Sequence, residues 1–167
     1  MLITNRIEIA KNALDKANEN DAFRIFAKNT PSHVLDELTN KLNNKISPQI
    51  DCTTCGGCCR HLMINVTPNE VESVAKYLNI APNNFEEKYI EKSLQGKMIM
   101  NTIPCHFLAD NKCTIYESRF AGCREFPHLQ EPNIKDRLFS TLIHYAMCPI
   151  IYNVVEALKV ALNFKLV

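Results

Sequence analysis

Apolar residues recur at helical spacing over most of the chain. In the segment from Ile3 to Ala27 they fall three or four positions apart, and the polar residues at 18, 20 and 21 predict a break into two helices. A third helix is predicted to begin at Pro31 with Thr30 as its N-cap and to end at Ser47 and Pro48. The first fifty residues therefore predict a helical segment, and they contain no cysteine.

Helical patterns return in the second half of the chain. Thr67 and Glu70 form the ends of a capping box, which predicts a helix running through Leu78. Further helices are predicted from Pro82 through Ile90, over residues 133–147 and over residues 150–162. The last of these is apolar on one broad face, as a core helix is.

Short β-prone runs separate these helices. Residues 62–66 suit a short strand, and a loop around Gly96 leads into residues 98–103. Residues 103–108 and 113–116 suit the two arms of a hairpin. The Asp-Asn pair between the arms is typical of a tight turn, so each arm is expected to carry one cysteine. Together the elements predict an α+β fold, mainly α-helical, with helices around a small Cys-rich loop and a short β-hairpin.

Length and composition favour one compact domain. The chain has 167 residues, of which 46% are hydrophobic, enough for one core and too few for two. We expect residues 1–50 to form a helical segment packed on the same domain, residues 51–149 a cysteine-cluster core and residues 150–167 a C-terminal core helix.

The charges nearly cancel, with 19 Lys and Arg against 18 Asp and Glu. Such a chain creates no general attraction to nucleic acid or to a membrane surface, so neither is expected as a partner. Charges interrupt the first twenty residues, and no apolar run reaches the length of about 20 residues that spans a bilayer. A cytoplasmic protein is the expectation, and reducing cytosol favours thiols as metal ligands over disulfides.

Eight cysteines are the main chemical feature of the sequence. Four of them lie within DCTTCGGCCR at residues 51–60, where the CxxC spacing lets two thiolates reach one ion. Zinc and iron–thiolate sites both use this spacing. The predicted metal ligands are Cys52, Cys55, Cys58, Cys59, Cys105, Cys113, Cys123 and Cys148. Three histidines near the cysteines could also bind metal, namely His61, His106 and His128. We do not expect them as ligands, because eight thiols already fill two four-coordinate sites.

Two four-sulfur sites are the simplest division of eight thiols, and a bridged cluster is the alternative. Neighbouring side chains usually project in different directions, so Cys58 and Cys59 are expected to serve separate sites. One hypothesis groups Cys52, Cys55, Cys58 and Cys148, because a CxxCxxC run and a Cys-Pro resemble ferredoxin-type binding. The second site would then contain Cys59, Cys105, Cys113 and Cys123.

Less specific interpretations accompany this one. A single cysteine, Cys148 above all, can be a buried apolar residue, and a CxxC can be a redox disulfide, although the usual βαβ context is missing. Four basic residues lie beside cysteines and suit hydrogen-bond donation to the negative sulfurs, namely Arg60, Lys112, Arg119 and Arg124. Arg119 and Arg124 equally suit surface ion pairs with Glu117 or Glu125.

The order of motifs, CTTCGGCC, PCHFLADNKCTIYESR, CREFP and a late Cys-Pro, resembles the YkgJ-type cysteine-cluster family, which is described as zinc- or iron-chelating domains. The resemblance covers about residues 51–149 and implies that all eight cysteines occupy family positions. Phe120 departs from it, because the family usually has proline there. Relatives are often labelled iron–sulfur oxidoreductases, and flagellin lysine methylases carry a similar cluster.

Three functions are consistent with the sequence. The first is a metal-binding protein with a Cys-rich zinc- or iron-chelating cluster, zinc being favoured over an iron–sulfur cluster. The second is an iron–sulfur oxidoreductase or protein-modifying enzyme, and the third is a metal-delivery or interaction module. No Gly-rich nucleotide loop, HExxH motif or serine-type catalytic set is present, so no catalytic residue is assigned.

Overall fold

Helices dominate the computed structural model, which describes residues 1–166. The chain is 59% helical and 7% strand, which confirms the predicted mainly helical α+β class. In chain order the elements are α1 (Arg6–Asp15), α2 (Ala17–Lys28), α3 (Ser32–Ile46), β1 (Asn65–Val66), α4 (Pro68–Tyr77), α5 (Pro82–Tyr89), β2 (Ile90–Lys92), β3 (Met98–Met100), β4 (Leu108–Ala109), β5 (Lys112–Cys113), α6 (Ala121–Glu125), α7 (Ile134–Ile143) and α8 (Pro149–Ala161). None of the helices described is long and apolar enough to cross a membrane.

The chain divides into two compact units. The first, called the helical unit, contains residues 1–51 and 127–167, and the second, called the cysteine unit, contains residues 52–126. The helical unit is therefore discontinuous in sequence, whereas the cysteine unit is one continuous segment. Residues 127–149, expected in the cysteine-cluster core, cluster with the N-terminal helices.

In the helical unit, α3 packs on α8, and the buried face of α3 combines apolar Leu35 and Ile46 with polar Thr39 and Asn43. Asn153 of α8 holds the N-terminal residues, because its Oδ1 accepts from the amide of Ile3 (3.0 Å) and its Nδ2 donates to the carbonyl of Ile3 (2.7 Å). Asp36 of α3 accepts from the amides of Asn133 and Ile134 at the start of α7 (3.0 and 2.9 Å). The two bonds from Asp36 satisfy amides that the start of a helix leaves without partners.

A charged network lies on the core side of α8. The side chain of Lys159 is 5% exposed, and its Nζ lies 2.8 Å from carboxylate oxygens of both Glu19 and Glu156. Glu156 also accepts from Lys16 and from the hydroxyl of Tyr145. A buried ammonium is costly unless it is paired, and the two carboxylates supply the pairing.

The N-terminal helices differ in detail from the sequence expectation. The break between α1 and α2 falls at Lys16, so the polar residues at 18, 20 and 21 lie inside α2. Thr30 does not cap α3, because its hydroxyl donates to the carbonyl of Phe26 and Pro31 occupies the cap position. Because the Thr30 hydroxyl binds a carbonyl four residues earlier in the chain, it does not bind the first amides of α3.

The cysteine unit is built around a three-stranded antiparallel sheet in the order β1-β3-β2, with α4 and α5 packed together. Its core contains Val71, Val74, Phe85, Met100 and Phe107, all buried. The predicted capping box is confirmed: the Thr67 side chain accepts from the amide of Glu70, and the Glu70 side chain accepts from the amide of Thr67. Ile90, expected at the end of a helix, instead pairs with Met100 as the first residue of β2.

Candidate metal centre

The cysteine loop turns sharply at Gly56. Short 3₁₀ turns at Cys52–Thr54 and Cys58–Arg60 flank it, and Gly56 adopts φ +61°. A Cβ at this position would lie 2.5 Å from Nη1 of Arg60 and 3.2 Å from the Cα of Asn111. Both the backbone conformation and the lack of space therefore require glycine.

Arg60 ties the loop to the turn of the hairpin. Its Nη1 donates to the carbonyl of Gly56 (3.0 Å) and its Nη2 donates to Oδ1 of Asn111 (2.6 Å). Asp110 and Asn111 both have positive φ, as the predicted tight turn between β4 and β5 requires. The sequence located this turn but gave no sign that Asn111 would bind the cysteine loop.

The hairpin brings two cysteines beside the loop. The amide of Cys105 donates to the carbonyl of Cys59 (2.8 Å), and Cys113 is the register partner of Leu108. The strand that contains Cys113 also lies next to the Cys52–Thr54 turn. Cys105 precedes β4, so the expected placement of one cysteine on each strand holds for Cys113 alone.

Cys123 lies in the short helix α6, whose start is held by α4. Oε1 of Glu70 accepts from the amide of Ala121 (2.6 Å), in addition to its part in the capping box. Burial alone would raise the pKa of Glu70, but the amides of Ala121 and Thr67 outweigh it, and the pKa is lowered. The second contact of Glu70 was not visible in the sequence, because it joins residues far apart in the chain.

Phe120 replaces the proline that the resemblance led us to expect. Its φ is −58°, close to the value that a proline ring imposes, so the backbone at the start of α6 keeps a proline-like conformation. The side chain is buried in the core of the cysteine unit. Packing of the phenylalanine ring thus supports the turn before Cys123.

The sulfur atoms of Cys58 and Cys59 lie 4.0 Å apart. The two side chains therefore converge, contrary to the expectation that neighbours project apart. Two thiolates on one tetrahedral zinc, with Zn–S bonds of about 2.3 Å, are separated by about 3.8 Å. The observed separation is thus compatible with a shared ion as well as with adjoining sites.

One proton is shared within this pair. A hydrogen bond between the two sulfurs lowers the pKa of Cys58 to about 6. The pKa of Cys59 is raised, because of the same hydrogen bond and because burial and the negative Cys58 sulfur disfavour a second charge. Cys58 is therefore the more acidic thiol of the pair.

Five thiols of the cysteine unit lie close enough to affect one another. Burial raises the pKa of Cys105 and of Cys113, and the negative charge of Cys58 adds to both shifts. Burial raises the pKa of Cys123 to about 12, with Cys58 again adding. We call these residues the sulfur cluster: Cys58, Cys59, Cys105, Cys113 and Cys123.

Arg119 is the cation that acts on this cluster. Its charge offsets part of the rise that burial causes in the pKa of Cys113 and Cys123. Its Nη1 donates to the carbonyl of Tyr116 (2.8 Å), and its guanidinium carbon lies 3.8 Å from the centre of the Tyr116 ring. Within residues 1–166 neither Arg119 nor Arg124 forms an ion pair with Glu117 or Glu125, the surface role considered from sequence.

The histidines near the cysteines are engaged elsewhere or lie in the other unit. Nδ1 of His61 donates to the carbonyl of Gly57 (2.9 Å), which supports the loop. Nε2 of His106 donates to Oδ1 of Asn101 (2.7 Å). His128 belongs to the helical unit.

The remaining three predicted ligands come from the start of the cysteine loop and from the helical unit. Cys52 is exposed in the first turn of the loop, and Cys55 is half-buried directly before Gly56. Cys148 is buried at the N-cap of α8, in the helical unit. Within the cysteine unit, the five cysteines of the sulfur cluster influence one another's pKa.

The donor chemistry fits a thiophilic metal. Within the residues described, no three Cys, His, Asp or Glu side chains are arranged as a complete ligand set. The cluster nevertheless supplies only soft sulfur donors, which are the ligands that zinc and iron–sulfur centres use. Thiolates that raise one another's pKa are also the groups that a bound dication stabilises most.

Sequence comparison identifies the family. The model of the CxxCxxCC family, whose members are described as zinc- or iron-chelating domains, matches residues 51–145. The match contains the whole sulfur cluster and ends before Cys148. No curated protein and no solved structure matches the chain. Since more than half of the chain fits the family model, the protein belongs to the CxxCxxCC family of zinc- or iron-chelating domains.

Proposed function

We propose that the protein binds metal through cysteine thiolates, with zinc favoured over an iron–sulfur cluster and with two four-sulfur sites. The observation that carries this proposal is the sulfur cluster. Its cysteines come from the Gly56 loop, the start of the hairpin, β5 and α6. The negative charge of Cys58 raises the pKa of each of the other four.

Electrostatics explain why such a cluster favours a cation. Burial and mutual repulsion hold the pKa of four of the five thiols above its ordinary value, so several protons must leave before all the sulfurs are anionic. A bound dication displaces those protons and offsets the repulsion between the sulfurs. The favourable binding would also join the loop, the hairpin and α6, so that metal binding contributes to folding.

The division into two sites comes from the sequence. It groups Cys52, Cys55 and Cys58 with Cys148, and it groups Cys59 with the three remaining cysteines. Because the sulfurs of Cys58 and Cys59 are 4.0 Å apart, two sites divided in this way adjoin at that pair. The place of Cys148 in the first site is a proposal that rests on sequence alone.

Metal analysis of the full chain tests the proposal. The protein is purified without oxygen and assayed for transition metals and acid-labile sulfide, and its absorption spectrum is recorded. We expect a colourless protein with about two zinc ions per chain. A brown protein with labile sulfide would replace zinc with an iron–sulfur centre, and protein without any transition metal would refute metal binding.

Two single substitutions test the division into sites. Under the hypothesis, Cys148→Ser and Cys59→Ser each remove one of the two ions, and the ion that remains differs in its rate of exchange with a chelator. Lys112→Gln is the matched control, because Lys112 adjoins Cys113 but supplies no sulfur. Loss of both ions from each cysteine variant would contradict the division and favour one bridged cluster.

A further inference from the structure

The helical unit has an apolar groove between α1, α2 and α7. Its cavity has a volume of about 270 Å³, and Ala13, Ala17 and Leu142 line it. Three large apolar side chains at its edge are strongly exposed: Leu14 by 79%, Phe139 by 62% and Ile143 by 59%. Exposed apolar side chains gathered around a groove are typical of a protein-binding surface.

A basic cavity of about 390 Å³ continues from this groove. Arg24 and Phe139 line both cavities, and the basic one adds Lys28 and Lys135 together with the single carboxylate of Asp136. None of the three cations is ion-paired within the part of the chain that the structure describes. The surface therefore combines an apolar half with a half that attracts carboxylates.

Polar atoms without partners lie at the same place. Asn20, which lines the apolar groove, is only 7% exposed, and its Oδ1 accepts no hydrogen bond from residues 1–166. Nε of Arg24 is buried and also has no acceptor in the part of the chain that the structure describes. The guanidinium carbon lies 5.6 Å from the centre of the Phe139 ring. A peptide can satisfy both atoms after small side-chain movements, because an amide carries a donor and an acceptor.

We propose that this groove binds an amphipathic helix of a partner protein that presents apolar side chains flanked by Asp or Glu. The apolar side chains would occupy the space between Leu14, Phe139 and Ile143, and the carboxylates would pair with Arg24, Lys28 and Lys135. Asp21 and Asp136 lie among these cations, so the surface offers separate positive contacts that suit individual side chains of a peptide and no uniformly positive face for an anionic membrane. The proposal does not depend on metal binding.

A peptide selection tests the proposal with a defined probe. Randomised helical peptides are selected on the full-length, metal-loaded protein, and binders to Phe139→Ser are removed. We expect enriched sequences with apolar residues at helical spacing and adjacent Asp or Glu. The affinity of an enriched peptide should fall at least about tenfold for Phe139→Ser and for Arg24→Glu, as it does when an interface anchor is removed.

Matched controls separate binding from folding. Val160 is 76% exposed on α8 and does not line the groove, so Val160→Ser should bind the peptide as the unaltered protein does. A peptide whose Glu residues are changed to Lys should bind Arg24→Glu better than it binds the unaltered protein. All variants should keep the same thermal midpoint, since each replaced side chain is partly or largely exposed.

Four outcomes would overturn the proposal. They are the absence of enriched peptides, enrichment of basic peptides, equal weakening by Val160→Ser, and failure of the charge reversal. Sedimentation would identify another occupant: self-association lost in Phe139→Ser would indicate a second copy of the chain. Sedimentation with phosphatidylserine vesicles, lost in the same variant, would indicate a lipid surface.

Discussion

The main-chain amide of Cys105 donates a 2.8 Å hydrogen bond to the carbonyl of Cys59. Two candidate ligands from distant parts of the sequence are thus joined by backbone atoms, without any contribution from sulfur. The contact between the cysteine loop and the hairpin should therefore persist when a sulfur atom is replaced.

Cys105→Ser should separate metal binding from this backbone contact. We expect the variant to lose metal, because a hydroxyl is a poor replacement for a thiolate ligand. Without metal, its free energy of unfolding should stay within about 1 kcal/mol of that of the metal-free unaltered protein. Elemental analysis and urea unfolding measure the two effects, and a large loss of stability without metal would show that the thiol itself supports the fold.

Gly56→Ala should destabilise the cysteine unit and weaken metal binding. An alanine there combines an unfavourable positive φ with close contacts to Arg60 and Asn111, so we expect a cost of about 2 kcal/mol. Gly96→Ala is the matched control, because Gly96 has φ +77° and no atom within 4 Å of an added Cβ. Urea unfolding of both variants isolates the contribution of the close contacts, and equal costs would show that they do not matter.

Arg119→Gln should lower metal affinity by about tenfold, the lower end of the effect of groups that support metal ligands. The variant removes the charge that offsets the burial of Cys113 and Cys123. Arg119→Lys should retain more of the affinity, and Lys112→Gln should behave as the unaltered protein. Competition with a chelator provides the affinities, and equal values for Arg119→Gln and Lys112→Gln would refute a specific role for Arg119.

Glu156→Gln should destabilise the helical unit by about 2 kcal/mol, because Lys159 then stays buried with Glu19 as its remaining carboxylate. Burial works against ionisation of Glu156, but Lys159 and Lys16 outweigh it and lower its pKa. A carboxyl whose folded pKa is below its unfolded value stabilises the fold fully above the unfolded pKa. The contribution is lost as the pH falls through the folded pKa.

Urea unfolding at a series of pH values checks this prediction. The difference between Glu156→Gln and the unaltered protein should be constant near neutral pH and should shrink in acid. Glu86→Gln provides the control, because the Glu86–Lys92 pair is more exposed and should contribute at most about 1 kcal/mol. If the difference in the free energy of unfolding grew as the pH fell, the predicted effect of the Glu156 carboxylate would be refuted.

Removal of metal should loosen the cysteine unit. Hydrogen exchange with and without a strong chelator should show faster exchange in residues 52–126, above all in the Gly56 loop, the hairpin and α6. The amides of α3 should change little, because α3 packs on α8 within the helical unit. Uniform acceleration throughout the chain would show that the two units unfold together.

Local sequence signals predicted the elements that depend on neighbouring residues. The capping box of Thr67 and Glu70 and the positive φ values of Asp110 and Asn111 follow from side chains within a few positions of each other. Strand β2 was missed, because Ile90 also suits the end of a helix and only its pairing with distant Met100 selects the strand. The contact between Glu70 and Ala121 was missed for the same reason.

For the candidate site, the CxxC spacing identified the loop and the type of chemistry. It did not predict that the sulfurs of Cys58 and Cys59 converge, because the expected divergence applies to regular helices and strands. Cys58 and Cys59 lie instead in a single 3₁₀ turn after Gly57. Arg119 was identified by its position beside the cysteines, but its contact with Tyr116 depends on the folded turn.

The discontinuity of the helical unit has a consequence for biosynthesis. Residues 52–126 leave the ribosome as one continuous piece, so this unit can complete its own contacts while translation continues. Asn153, which holds the backbone of Ile3, emerges only after this piece is complete. The contacts of the first helices with α8 must therefore wait for α8, and the segment that carries the sulfur cluster has the opportunity to acquire an ion before the helical unit is complete.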